Sequence, residues 1–280
     1  MISIAGVVVL YNPDESVVNN IQSYIQDIEI LFVVDNSEEK NSLIVEVLSV
    51  NPKIRYIDNK GNQGIAHALN VGARKAIELE YKWLLTMDQD SSAVEKMLTK
   101  MLKYTHDDIS IITPFHANLY QKHSMSQKKI SSILTTMTSG NLLNLTVYAN
   151  SKGFKEEFFI DYVDSEYCLQ SHLNNYKIIQ IDHAILNHNL GDLKKHQFLW
   201  KHFFSTNHSP IRRYYITRNR FKIIELYQNS FSEYCNFEKS RFLVDFIIVL
   251  LYEKQKIAKF KMMLRGYLDY KRGIFGKYHD

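Results

Sequence analysis

The sequence predicts an α/β fold: a doubly wound, mainly parallel sheet flanked by helices, with a C-terminal helical appendage. Two observations place the sheet. Strand-like and helix-like segments alternate from Ile4 to Asp90, and the strand segments are continuous apolar runs, the mark of strands buried on both faces. A third observation places the appendage, because past Gly191 the chain turns aromatic and basic and keeps a helical period. The expected division is residues 1–191 for the sheet domain and 192–280 for the helical region.

Each element has its own warrant. Ile4 to Leu10 is β-branched and apolar throughout, and Tyr11-Asn12-Pro13-Asp14 ends it. Pro13 suits the first turn of a helix carrying Val17, Ile21, Tyr24 and Ile25 at helical spacing. Ile30 to Val34 is a second buried strand, stopped by Asp35-Asn36-Ser37, and a helix with Leu43, Ile44, Val47 and Leu48 follows. Ile54 to Ile57 is a third strand. The loop Asn59-Lys60-Gly61-Asn62-Gln63-Gly64 then opens a helix with Ile65, Leu69, Ala73 and Ile77. The next strand, from Trp83, stops at Asp88-Gln89-Asp90-Ser91. A helix through Val94, Leu98 and Leu102 is expected next, then a strand over Ile109 to Thr113 and a polar loop over Phe115 to Ser126. Ile130 to Met137 reads as a strand, Leu142 to Asn150 as a helix, and Lys177 to Ile181 and Ala184 to Leu186 as two short strands.

Composition narrows the class. A chain of 280 residues buries a full core. A net charge of +4 demands neither nucleic acid nor membrane. Cys168 and Cys235 lie far apart, with no disulfide framework or zinc spacing, which fits a reducing compartment. The N-terminus runs straight into a strand pattern, without the basic region and cleavage site of a signal peptide. The longest apolar run, Phe246 to Tyr252, is far short of the roughly 20 residues a membrane span needs.

In doubly wound sheets ligands bind outside the carboxyl ends of the strands. Tyr11, Asp35, Asn62 and the Asp88/Asp90 pair all fall there. Side-chain alternation points Asp88 and Asp90 to one side, and two close carboxylates repel unless a cation lies between them. Mg²⁺ or Mn²⁺ suits such oxygen ligands and keeps positions open for phosphates. The alternative is a solvated turn with a helix cap at Ser91 or Ser92. The Gly61/Gly64 loop is no dinucleotide fingerprint, but it lets backbone approach an anion at a helix N-terminus. Asp161, Asp164 and Glu166 lie among Phe158, Phe159 and Tyr162 near a helix start, where each reads as a cap or as a general base. His188, at a strand end, reads as a metal ligand or a surface residue.

Taken in order, these segments resemble the family-2 inverting glycosyltransferases of GT-A fold, and among them the bacterial rhamnosyltransferase-like branch. The matching pieces are Val7-Val8-Val9-Leu10-Tyr11-Asn12-Pro13, Val33-Val34-Asp35-Asn36-Ser37, Asn59-x-Gly61-Asn62-x-Gly64-Ile65-Ala66 and Asn70-x-Gly72. They continue with Met87-Asp88-Gln89-Asp90-Ser91, Ser139-Gly140-Asn141, Phe159 to Tyr167, His188-x-x-Gly191, and Arg213-Tyr214-Tyr215 with Arg218-Asn219. The resemblance covers nearly the whole chain. It implies an enzyme that moves a sugar, with rhamnose favoured, from a dTDP- or UDP-linked donor to a hydroxyl of a glycan or lipid-linked acceptor, in bacterial surface polysaccharide synthesis. A galactofuranosyl or other hexosyl transferase, or an inactive sugar-nucleotide-binding homologue, is the alternative. A sugar-phosphate nucleotidyltransferase would carry a Gly-rich basic loop after the first strand, and Tyr11-Asn12-Pro13-Asp14 is not one.

By the same resemblance Tyr11, Asn12, Asp35, Asn62, Gly64 and Asp88 bind the donor. Asp88, Asp90 and His188 hold Mg²⁺ or Mn²⁺. Asp164 is the base, Asp161 its competitor, and Glu166 has a supporting or acceptor-binding role. Gln89 between the acids, and Gln170 where arginine is common, depart from the family pattern. The implied location is cytoplasmic, at the inner face of the cytoplasmic membrane. No nucleic-acid partner is implied, and the C-terminal helices are left to contact membrane, acceptor or a second subunit. Residues 254 to 272 carry seven Lys or Arg against one acid, Asp269, with Ile257, Phe260, Leu264 and Tyr267 at helical spacing. That pattern fits an interfacial helix or a stripe packed on protein.

Overall fold

The structure, a computed structural model, describes residues 3–117, 129–188, 194–198, 201–205 and 207–279; for 188, 194–198 and 201–205 it describes the backbone alone. The chain forms two compact units, Met1–Glu156 with Val163–Asn189, and Glu157–Tyr162 with Leu190–Asp280.

The first unit is built on a sheet whose first half is parallel. β1 (Ile4–Leu10), β2 (Ile30–Asp35), β3 (Ile54–Asp58) and β4 (Trp83–Asp88) lie in the order β3-β2-β1-β4, joined by parallel pairs. All seven residues of β1 are buried, as its β-branched run requires. α1 (Ser16–Gln22), α2 (Ser42–Ser49) and α3 (Ile65–Glu78) make the crossovers. α1 starts at Ser16, after Glu15, rather than at Pro13. Asn41 caps α2 by accepting the Ile44 N–H at 3.3 Å. α3 lies so close to β1 that a Cβ on Gly72 would collide with the Val7 side chain.

The second half departs from several expectations. β5 (Ser91–Ala93) is a short strand where a helix was expected to begin, and α4 covers only Met97–Met101. Pairing of β5 with a neighbouring strand takes the backbone bonds that a longer helix would have used. β6 (Ile109–Ala117) continues past Thr113 through Pro114. A register shift after Pro114 accommodates the missing N–H, as strand prolines require. Residues 118–126 of the expected loop lie outside the described residues. β7 is limited to Ile130–Ser132; Ile133 still donates its N–H to the Ile178 carbonyl at 3.1 Å, and by Thr136 the chain bonds the Thr113 hydroxyl at 2.9 Å instead.

The segment expected to be helical from Leu142 begins instead as β8 (Asn141–Asn144), antiparallel to β4 and β6. The helix, α5 (Leu145–Ala149), starts only after Asn144, whose side chain accepts the N–H groups of Thr146 and Val147. Leu142 and Leu143 are both buried, so this strand has no alternation to reveal it. After α6 (Val163–Leu173) the two expected short strands are one, β9 (Lys177–His188). β9 pairs parallel with β6 and antiparallel with β5 and β7, giving the order β3-β2-β1-β4-β8-β6-β9-β5.

The second unit contains an antiparallel pair, β10 (Lys194–Phe198) and β11 (Lys201–Ser205), where only helix was expected. The phenylalanines of that stretch favour strand, which the basic composition had obscured. Three helices follow: α7 (Pro210–Tyr227), α8 (Ser232–Tyr252) and α9 (Lys256–Arg272). Ser209 caps α7 and Pro210 opens it. The predicted stripe on α9 divides. Phe260 packs on Phe246 and Tyr267 on Phe221, with ring centroids 4.6 and 4.9 Å apart, while Ile257 and Leu264 are exposed.

Candidate functional site

Register alone brings the predicted donor residues to one edge of the first unit. Leu10 pairs with Asp35, Asp35 with Asp58, and Val9 with Asp88. Tyr11, just past β1, is half exposed there. The loops at this edge are tied together by amide side chains. Asn36 donates to the Gly64 carbonyl at 3.0 Å and accepts from Asn59 at 2.6 Å. The Asn12 N–H donates to Ser37 Oγ, and the Ser37 N–H to Asp35, both at 2.8 Å. Asn62 Oδ1 accepts the Gly64 N–H at 3.0 Å and holds the entry to α3, where Gly64 sits at φ 92°.

Asp35 is buried, with one oxygen bonded to Ser37 and the other to the Tyr56 hydroxyl at 2.8 Å. Burial, reinforced by Asp35, pushes the Tyr56 phenol well above its ordinary range, so it stays a proton donor. A carboxylate oxygen accepts two bonds, so Asp35 keeps acceptor capacity beyond these partners.

The acidic turn after β4 is braced on both sides. The Asp88 N–H donates to Ser139 Oγ at 3.0 Å, and Thr86 donates to the Thr138 carbonyl at 2.6 Å. His116 Nε2 lies 2.7 Å from the Ser139 carbonyl. Gln89, the departure from the family pattern, links two strand ends. Its Oε1 accepts the Tyr11 N–H at 2.8 Å and its Nε2 donates to the Tyr11 carbonyl at 3.2 Å. Asp90 is exposed and Asp88 half-buried. Tyr24 is buried, and burial together with the Asp88 charge drives its phenol upward. The β5–β9 register sets the His188 backbone opposite Ser91, the residue after Asp90. The His188 side chain, and Gly191, lie outside the described residues. Among the described residues no three His, Cys, Asp or Glu side chains form a metal shell.

Asp164 opens α6 and accepts the Ser165 N–H at 2.7 Å. Its side chain borders a small cavity of about 10 Å³, room for about one water, lined also by Thr86, Thr138, Asn141, Phe154 and Tyr167. Glu166 is buried and pairs with Lys155 at 3.1 Å. Gln170 accepts the Lys152 N–H at 3.3 Å. Asn70 bonds Phe154 through both its N–H and its carbonyl, and accepts from the Tyr148 hydroxyl at 2.6 Å.

Asp161 belongs to the second unit. Arg212 grips it through Nε and Nη2 at 3.1 to 3.3 Å. Burial raises its carboxyl from the ordinary value, and Arg212 opposes that shift. Phe159, Asp161 and Tyr162 all have positive φ, at 65°, 62° and 65°. Asn219 holds this loop by donating to the carbonyls of Phe158, Ile160 and Asp161 at 2.8 to 3.0 Å. Arg218 adds bonds to Glu157 and Phe158, and Phe159 stacks on Tyr215.

Sequence reasoning missed the bracing roles of Asn20, Asn36, His116 and Ser139. Ser139 and Asn36 lay inside recognised motifs, which was the available signal. Asn20, which donates to the Gln89 carbonyl at 2.8 Å, had none.

The sequence pattern of Glycosyl transferase family 2 matches residues 7–185. The chain belongs to this family. Over 304 aligned positions it is 26% identical to a dTDP-rhamnosyl transferase, RfbF, of Shigella flexneri, covering 98% of this chain and 97% of that one. Among solved structures it superposes on residues 1–349 of TarS from S. aureus with a TM-score of 0.63 and 14% identity, over 96% of this chain and 81% of that one. It also superposes on GalNAc-T7 bound to UDP, GalNAc and Mn²⁺, with a TM-score of 0.62 and 12% identity, over 98% of this chain and 56% of that one. These two likenesses concern the fold, and they agree with the GT-A arrangement expected from the sequence.

Proposed function

We propose that this family-2 glycosyltransferase moves rhamnose from a dTDP-linked donor to a hydroxyl of a glycan or lipid-linked acceptor, with a divalent cation and with inversion. The dTDP-rhamnosyl transferase from Shigella, aligned over nearly its full length, supports the sugar and the nucleotide. The observation that carries the chemistry is the meeting of two strand ends: the Asp88–Asp90 turn, and the end of β9 opposite Ser91. Two carboxylates and an imidazole fit Mg²⁺ or Mn²⁺, so Asp88, Asp90 and His188 would hold the ion. Bound there, it supplies positive charge to the diphosphate leaving group.

The rest is work for this chain's own residues. Asp35 and Tyr11 meet the nucleobase. The Asn12 and Asn62–Gly64 backbones approach the donor at the strand ends, near the N-terminus of α3. Asp164, near the start of α6, takes the proton of the acceptor hydroxyl as that oxygen attacks the anomeric carbon. One base and one displacement invert the centre without a sugar–enzyme intermediate, in the manner of the single-step hydrolases. Asp161, held by Arg212, shapes the loop that leads into α6.

Calorimetric titration of dTDP with and without Mn²⁺ tests the reading. Asp90→Ala is expected to abolish the metal-dependent part of dTDP binding while circular dichroism stays unchanged. Metal-dependent affinity equal to that of the parent protein would remove Asp90 from the ion's ligands. Competition between dTDP and UDP reports the nucleotide.

A further inference from the structure

We infer that the outward face of α8 docks this protein onto an anionic lipid surface, with the helix lying along the interface. Every exposed residue from Leu243 to Leu251 is apolar: Leu243, Val244, Phe246, Ile247, Leu250 and Leu251. At 3.6 residues per turn these six fall within an arc of roughly 160°. Leu243 is 64% exposed and Ile247 52%, values far from those of a core-facing stripe. Ile257 and Leu264 add exposed apolar area on α9.

The charges around this face are sorted by sign. Of the acids on α8 and α9, Glu233 in the first turn of α8 is exposed, while those nearer the apolar run turn inward. Asp245 pairs with Arg220 at 2.7 Å, and Glu238 with the same arginine at 3.0 Å. Glu253 is buried between Arg213 and Lys259, and Asp269 receives the Tyr214 hydroxyl at 2.9 Å. The bases face out. Lys239 and Arg241 are exposed at one end of the apolar run, Lys254 and Lys256 at the other, and Lys261 lies beyond on α9. Lys259 is excluded, being buried against Glu253. This apolar surface is on α8, outside the residues 254 to 272 where the sequence led us to expect an amphipathic helix.

This charge pattern selects the occupant. In a two-fold pairing of this face with itself, antiparallel α8 helices would set Lys239 and Arg241 against Lys254 and Lys256 at both ends. Anionic headgroups over acyl chains match the cations and the apolar run together. Among the described residues no helix is long and apolar enough to cross a membrane, so the geometry is that of a helix lying on the surface. The proposed lipid-linked acceptor gives such docking a purpose, but the docking itself does not depend on it.

Co-sedimentation of the full chain with vesicles tests the inference. One set is phosphatidylcholine with phosphatidylglycerol, the other phosphatidylcholine alone, each at low and high salt. Binding to the anionic vesicles that weakens with salt is expected. Lys239→Gln, Arg241→Gln, Lys254→Gln and Lys256→Gln should each lower partitioning by about fivefold. Val244→Gln, Ile247→Gln and Leu251→Gln together should lower it by about tenfold or more. Ile247→Asp alone repeats the test at one exposed position in case the triple variant misfolds. No binding at low salt, or unaltered binding by the apolar variants, overturns the proposal. Sedimentation equilibrium showing a dimer that the same variants dissolve, without vesicle binding, makes a second copy the occupant and also overturns it. Sugar transfer to a water-soluble acceptor, unchanged in these variants, separates this outcome from that of the catalytic reading.

Discussion

Asp161 and Asp164 are three residues apart and alike in chemistry, and their neighbours differ. Arg212 fixes both oxygens of Asp161 in a fork-to-carboxylate pair. Asp164 accepts the Ser165 N–H and borders a cavity with room for about one water. A carboxylate gripped on both oxygens by guanidinium is a poor proton acceptor, which speaks against Asp161 as the proposed base. Asp164→Asn is accordingly expected to lower kcat by about 10²-fold or more with donor affinity retained. Asp161→Asn should instead lower unfolding stability by about 1–2 kcal/mol, because its partner Arg212 is half exposed and solvent screens the pair. Steady-state kinetics and thermal denaturation of both variants decide the matter, and the reverse pattern would exchange the two roles. Sequence alone left the choice open, since the arginine that distinguishes the two acids is 51 positions away from Asp161.

At the scale of elements, α7 acts as a clamp. Three positive-φ residues without glycine make residues 157–162 a costly loop, and such conformations persist only where neighbours impose them. Arg218 and Asn219 impose this one by occupying its carbonyls. Asn219→Ala leaves buried carbonyls unpaired and should cost about 1–3 kcal/mol. Hydrogen exchange is expected to rise in the peptide spanning 157–162 while β1 to β4 keep their protection; uniform loss across the chain would contradict a local clamp. The motif Arg218-Asn219 was visible in sequence, but its partners were not, because hydrogen bonds to backbone carbonyls leave no trace in residue type. The four parallel strands were legible for the opposite reason: their signal lies in the run of apolar residues itself. β8 was not, because Leu142 and Leu143 are both buried and their spacing serves helix and strand alike.

For the whole molecule, sequence order and unit membership disagree. The second unit takes the chain from residue 190 onward, yet residues 157–162 belong to that unit as well. No composition change marks them, since they are apolar and acidic like their neighbours. A chain ending at residue 189 is therefore expected to keep the β1–β4 core and to expose this one loop. Limited proteolysis should cut it between 157 and 162, while the full chain resists there; equal resistance would show that the loop holds itself.

The same interleaving sets a schedule for biosynthesis. The ribosome delivers the 157–162 loop before the residues that hold it, and at about 5–20 residues per second Arg218 and Asn219 arrive seconds later. The sheet can close during that interval, but the approach to α6 cannot settle. The carboxylate at the head of that helix is thus among the last parts of the enzyme to reach its working place. A half-made chain carries a finished scaffold, with the proposed base still waiting on residues not yet made.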